Sequence, residues 1–246
     1  MKKVLFRAPI LTNSGYGVHA RQICKWLLKK EEAGDCSVSF HVLPWGDTPW
    51  FLRDDLCDGL VGKVMSKIAP DEVKPDVLMS LQLPNEWAQA SDIPHIGMSA
   101  VVETDICNPK WVEAVNKMTA VIVPSNHAKK ALENSGMVLA PILVIPESYP
   151  ENFQNQNSEL NTFNFSTKFN FLIVGQITGD NSETDRKNIF LTIKWICEQF
   201  ENNPDVGIIL KTNCGSNTAL DRERTQAVCT RLIKECRKSE FPRLHL

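Results

Sequence analysis

The stretch KVLFRAPILTNSGYGVHA, residues 3–20, runs an apolar strand into a glycine pair that opens a helix. How this junction is read decides the fold. Gly15 and Gly17 with Ala20 spell G-x-G-x-x-A, a pattern that binds dinucleotides when the first glycine sits at the strand end and an acid ends the next strand. Here the seven residues Ala8–Ser14 intervene, and Asp35 precedes the second strand instead of following it. The nicotinamide reading therefore loses ground. What remains is more general: glycines admit a ligand close to the backbone, and the unpaired N–H groups of a helix N-terminus favour an anion. A plain strand-to-helix turn is the alternative.

Outward from this junction, short apolar runs alternate with helical patterns. Lys3–Phe6, Ser37–Leu43, Asp76–Leu81, His95–Val102, Ala120–Val123 and Ile142–Ile145 read as strands. They are too continuously apolar for half-exposed antiparallel strands and predict a parallel sheet. Between them, Tyr16–Ala33 carries Ala20, Ile23 and Leu27 on one face and stops at Gly34. Trp111, Val115 and Met118 follow an Asn108-Pro109 start, and a third helix runs from Ser125 to Gly136. The alternation predicts an α/β, Rossmann-like, doubly wound domain over residues 1–150. Residues 151–168 hold five Asn and two Gln without a regular period and read as a linker. The alternation restarts at Phe169–Val174, with a helix over 187–200, a strand at Val206–Leu210, a helix around 220–237 and Arg243–Leu246. Residues 169–246 are thus expected to form half of a second Rossmann-like unit.

Composition narrows the function. With 27 Lys+Arg against 29 Asp+Glu, a net charge of -2 supplies no broad positive field for a nucleic acid. The longest uncharged stretches, Ala8–Ala20 and Asn134–Pro146, are thirteen residues each, short of the ~20 that a spanning helix needs. Arg7 breaks any apolar run at the start, so no signal peptide is expected and the cytoplasm is the predicted compartment. The eight cysteines form no C-x-x-C and no zinc spacing with histidine, and read as small buried residues. His19, His41, His95 and His245 read as core or surface residues.

Three places carry candidate chemistry. Gly15 and Gly17 are the first. Glu103 is the second, expected at the end of a strand, where a ligand hydroxyl or a proton could be taken; a solvated acid is the alternative. Ser125 and Asn126 open a helix at another strand end, where capping alone explains the serine equally well. The third is Arg186 and Lys187, after the first strand of the second unit, with Lys211 ending the next strand. Two or three cations beside a helix N-terminus suit a leaving diphosphate, whereas a lone basic pair is commonly a solvated turn. The basic residues from Arg222 to Arg243 are interleaved with acids and read as a solvated helix face.

Taken together, these stretches resemble glycosyltransferase family 4, with its GT-B architecture of two Rossmann-like domains. The resemblance rests on Gly15-Tyr-Gly17 with Arg21, Glu103-Thr104 through Trp111, Val121 to Ser125 and Gly136, Val144 to Pro146, and Val174-Gly175-Gln176 with Arg186 to Asn188. It implies a retaining, metal-independent transferase that uses a UDP- or GDP-linked sugar as co-substrate and no cofactor. The absence of a D-x-D agrees. Gly15 and Gly17 would lie against donor or acceptor, and Lys187 would hold the diphosphate. Gln176 stands where the family carries arginine, so either Gln176 or Arg186 takes that role. An acidic E-x7-E segment, expected after the third strand of the second unit, is not reached by Leu246. The chain is therefore expected to be an incomplete form with little activity, with Gly15, Glu103, Ser125 and Lys187 facing one cleft and Phe169–Val174 exposed as an edge through which copies associate. The competing functions are an NAD-dependent oxidoreductase, for which Asp47 is the nearby acid, and a noncatalytic nucleotide- or sugar-binding protein.

Overall fold

A computed structural model describes residues 1–46, 48–70, 74–87, 92–149, 163–215 and 218–246. The chain divides into two compact units, Met1–Asn155 and Gln156–Leu246. The first is built on β1 (Lys2–Ala8), α1 (Gly15–Glu32), β2 (Cys36–Val42), α2 (Leu60–Met65), β3 (Val77–Leu81) and β4 (His95–Met98). It continues through α3 (Pro109–Val115), β5 (Ala120–Val123), α4 (Asn126–Ser135) and β6 (Ile142–Val144). A single 3-10 turn, Pro84–Glu86, follows β3. Neither α2 nor this turn was legible in the apolar periodicity.

The six strands form one wholly parallel sheet in the order β2-β1-β3-β4-β5-β6. This is a doubly wound, Rossmann-like α/β arrangement, as the alternation predicts. Strand residues alternate between its faces. Phe6 and Ala8 on β1, Val38 and Phe40 on β2 and Leu81 on β3 pack on one side with Ala20, Cys24 and Leu27 of α1. Val121 and Val123 of β5 pack on the other with Val115, Ala128, Ala131 and Leu132 of α3 and α4. The chain order reverses between β1 and β3, because β2 lies on one side of β1 and every later strand on the other. In open α/β sheets the ligand crevice lies outside the carboxyl ends of the strands at such a point.

Two strands differ from their expected form. Continuous burial was expected of β2, but it alternates: Cys36, Val38 and Phe40 are buried, while Ser37 and Ser39 are half-buried and His41 is exposed. That pattern belongs to a strand with one wet face. The strand expected to reach Val102 stops at Met98, because Val101 adopts a left-handed backbone with φ 62°. A β-branched side chain rarely tolerates this conformation, and no ladder continues through it.

The second unit carries β7 (Phe169–Val174), α5 (Ile189–Gln199), β8 (Val206–Lys211), α6 (Ala219–Cys236) and β9 (Arg243–His245) in a parallel sheet ordered β7-β8-β9. The helix expected from residue 187 begins at Ile189. Helices α5 and α6 share one core with the sheet, in which Ile193, Ile208 and Leu210 are fully or almost fully buried. The opposite face is barer. Leu172 and Val174 on β7 are 66% and 65% exposed, and among the described residues β7 is an edge strand, a position that leaves outward backbone groups to be paired. Among the described residues no helix is long and apolar enough to cross a membrane.

An exposed apolar edge of this kind favours strand-to-strand association. Replacing Leu172 and Val174 with threonine keeps the β-propensity and removes the apolar row. Sedimentation velocity across a concentration series is expected to show less self-association for the double variant than for the parent chain.

Candidate functional site

The loop between β1 and α1 sits at the switch point, and its shape follows from a few contacts. Ser14 caps α1, its Oγ accepting the Gly17 N–H at 2.9 Å and lying 2.8 Å from Thr12 Oγ1. Arg21, one turn into α1 and 9% exposed, donates through one guanidinium nitrogen to the carbonyls of Ile10 and Thr12 at 2.7 and 2.9 Å. Its charged plane also lies over the Phe51 ring at 4.8 Å. A buried arginine is costly unless its donors are used, and here they hold the loop against the helix.

This geometry separates the two glycines. A Cβ on Gly17 would lie 2.1 Å from the Thr12 carbonyl oxygen, so the residue is glycine because the loop passes against it. Its N–H is already taken by Ser14. Gly15 is exposed and a Cβ there would meet nothing within 4 Å. Of the pair, only Gly15 presents open space to a ligand.

Tyr16 and Trp45 were not singled out by the sequence, yet they shape the crevice. Their rings stack with centroids 4.0 Å apart, Trp45 coming from the loop after β2. The Tyr16 hydroxyl lies 3.1 Å from Ser99 Oγ and accepts the Ala100 N–H at 3.0 Å. Val101 N–H in turn donates to Ser99 Oγ. Burial raises the Tyr16 pKa, against the hydrogen bonds from Ser99 and Ala100 and together with the charges of Glu86 and Glu147. The phenol thus ties the start of α1 to the exit of β4. One turn further along α1, His19 Nδ1 lies 3.4 Å from Glu147, and burial lowers its pKa although that carboxylate opposes the shift.

Glu103 lies five residues beyond the end of β4, on an exposed bend. The segment after it runs along α4 toward that helix's last turn. Asp105 O accepts from Asn134 Nδ2 at 3.1 Å, and Cys107 N–H donates to Ser135 Oγ at 2.7 Å. The left-handed turn at Val101 therefore leads Glu103 out of the strand-end position that the sequence predicts. Ser125 is the N-cap of α4, with Oγ accepting the Ala128 N–H at 3.1 Å, and Asn126 is exposed as that helix's first residue. Both stand at the carboxyl end of β5, the sheet edge from which the β1 loop also leaves.

In the second unit, Arg186 and Lys187 are exposed in the turn before α5, and Lys211 is the exposed last residue of β8, paired in register with Val174. The two loops leave the same sheet edge. The residue that organises the first of them is Asp185, 5% exposed. Its Oδ1 accepts the N–H and the hydroxyl of Thr178 at 3.1 and 2.9 Å, and its Oδ2 accepts the Ile189 N–H at 2.6 Å. Asp221, 6% exposed, closes the next loop in the same way, accepting the Cys214 N–H at 3.3 Å.

Both helix starts thus already hold a carboxylate. The α5 N-terminus, expected to face a diphosphate together with the cations, already has its Ile189 N–H bonded to Asp185. Asp47, the acid invoked for a nicotinamide site, lies outside the described residues. Among the described residues no group of three or more His, Cys, Asp or Glu side chains could hold a metal ion.

No protein-family model matches the chain, and no curated protein matches it. Solved structures resemble it in fold. MnaA of S. aureus, solved with UDP, is 11% identical at TM-score 0.43 over 93% of this chain and 66% of its own. The lipopolysaccharide outer core galactosyltransferase WaaB is 12% identical at 0.48 over 96% of this chain and 66% of its own. HepE of Anabaena, solved with UDP and glucose, is 13% identical at 0.47 over 100% of this chain and 70% of its own. The chain spans only 66% of the length of the first two.

Two predictions follow from the loop geometry. Gly17→Ala forces a methyl against Thr12 and is expected to lower stability by about 1–3 kcal/mol in urea unfolding, whereas Gly15→Ala changes it by less than about 1 kcal/mol. Asp185 is held below the ordinary carboxylate range: burial works against its charge, but the bonds from Thr178, Ile189 and Phe190 outweigh it. A carboxyl whose folded pKa is depressed stabilises fully above its unfolded pKa of about 3.9 and loses that stabilisation as pH falls through the folded value. Asp185→Asn is expected to cost the second unit about 1–3 kcal/mol at neutral pH and to flatten its stability profile below pH ~4.

Proposed function

We propose that the chain belongs to a GT-B-type, sugar-nucleotide-dependent glycosyltransferase, of which it holds the acceptor-side domain, residues 1–150, and about half of the donor-side domain, residues 169–246. In this reading Gly15, Ser125 and Asn126 contact the substrates at the carboxyl edge of the first sheet, and Glu103 accepts a hydroxyl proton from the loop after β4. Arg186, Lys187 and Lys211 hold the diphosphate. The single observation that carries the proposal is the placement of Arg186 and Lys187 on one loop and Lys211 on the next, at one edge of a parallel sheet.

The chemistry proposed is transfer with retention. The bond from the anomeric carbon to the diphosphate breaks, the diphosphate keeps the electron pair, and the three cations neutralise its growing charge. The acceptor hydroxyl oxygen bonds the same carbon on the same face and yields its proton. No metal is required where cations occupy this place, and the sugar and nucleotide stay open between UDP- and GDP-linked donors.

A nicotinamide cofactor is less well served. Its ribose hydroxyls would need an acid just past the second strand, whereas β2 is followed by Leu43, Pro44 and Trp45, with Trp45 stacked on Tyr16. A cytoplasmic location belongs to the same proposal.

Calorimetric titration with UDP, GDP and NAD tests it. One of the nucleoside diphosphates is expected to bind, and Lys187→Ala to weaken that binding by about 1.5–3 kcal/mol, the scale of a charge-assisted hydrogen bond. Binding of NAD, or nucleotide affinity unchanged in the variant, would overturn the assignment.

A further inference from the structure

One polar cluster in the first unit is used by nothing described so far. Arg7 on β1 faces Ser80 on β3 in the sheet register, and His95 Nε2 lies 2.9 Å from Ser80 Oγ. Gln82, whose N–H continues the ladder to Met98 O, points to the same face two residues on. Trp87 lies over Gly97, the β4 partner of Ser80, so closely that a Cβ at Gly97 would come within 2.7 Å of the indole. Ser80 is fully buried, His95 is 2% exposed and Gln82 is 9% exposed.

These groups are short of partners. Arg7 Nε, Gln82 Oε1, Trp87 Nε1 and His95 Nδ1 are all buried without a hydrogen bond. Leaving a buried donor or acceptor unmade is costly, and native structures fill such places with water or an ion. The choice between the two is decided by charge. Arg7 carries a full positive charge, is half-buried, and among the described residues has no ion pair or hydrogen-bonded acid. The residues that share its face on the neighbouring strands, His41, Leu78, Ser80 and His95, include no carboxylate. Its charge acts on His95, whose pKa is lowered first by burial and then by Arg7. Unlike Arg21, whose donors are taken by carbonyls, Arg7 keeps a buried Nε without an acceptor, and a charge drawn into the interior is stabilised by an opposite one.

We infer that Arg7, with Trp87 Nε1 and His95 Nδ1 as further donors, forms a binding site for a compact oxyanion on the face of the first sheet at the β1/β3 switch point. The anion is either free phosphate or the phosphoryl group of a larger ligand. This site lies wholly within residues 1–98 and stands independently of the nucleotide-sugar reading. Its failure would leave the Lys187 experiment untouched.

Inorganic phosphate titrated into the labelled full chain at constant ionic strength, followed by NMR, tests it. Saturable shifts are expected for the Arg7 side-chain N–H and the His95 ring, with a rise in the His95 pKa as the anion offsets the arginine. Arg7→Gln should weaken binding at least ~10-fold, the scale of a lost charged hydrogen bond. Should that variant fail to fold, the Arg7 resonance of the parent chain decides the matter. Glycerol phosphate run in parallel separates the sources: binding at least as tight as phosphate assigns the site to a ligand-borne group, and binding of phosphate alone to the free anion. Shifts that stay linear, or that survive Arg7→Gln undiminished, show that water alone fills the cluster and overturn the inference.

Discussion

The approach of the Thr12 carbonyl to Gly17 is the contact on which the first unit's candidate site depends. It brings the loop after β1 over the first turn of α1, and Arg21 locks it there by donating to Ile10 and Thr12. Because the loop cannot move off, Tyr16 is aimed across the sheet at Ser99 and Ala100, 83 and 84 residues away in sequence. A steric constraint at one glycine thereby sets the position of the chain leaving β4. The second glycine of the G-x-G pattern is thus spent on packing, which is why such a pattern alone is poor evidence for a ligand.

The second unit uses a different device. Asp185 and Asp221 each occupy the start of a helix and accept an N–H from the loop ahead of it. Helix starts expose N–H groups and attract negative charge, so an internal carboxylate there competes with any ligand for the same donors. In the proposed reading, the exposed Arg186, Lys187 and Lys211 would act by charge rather than by a cradle of backbone amides. Such a site would be electrostatic, and salt is expected to weaken it.

Much of the fold was readable from residue pattern because parallel strands buried on both faces leave continuous apolar runs. β3, β4, β5 and β8 come closest to this. β6, β7 and β9 are only partly buried and were legible from their alternation with helices, while Ser37, Ser39 and His41 on β2 record a face that water reaches. Helix starts at Asn108 and Ser125 were legible because a cap is a local interaction, made within three residues of itself.

By itself, then, the sequence determined what depends on near neighbours: the alternation of strand and helix, the caps at Asn108 and Ser125, and the identity of the charged groups at the strand ends. Tertiary structure decided which of those groups are available. Gly17 is closed by Thr12, Asp185 fills the helix start beside Lys187, the left-handed turn at Val101 carries Glu103 off the strand end, and among the described residues Arg7 has no carboxylate beside Ser80 and His95. Each of these outcomes depends on contacts between residues that the local pattern does not relate. Whether a charge is neutralised, buried or free for a ligand is set by what the folded chain brings against it.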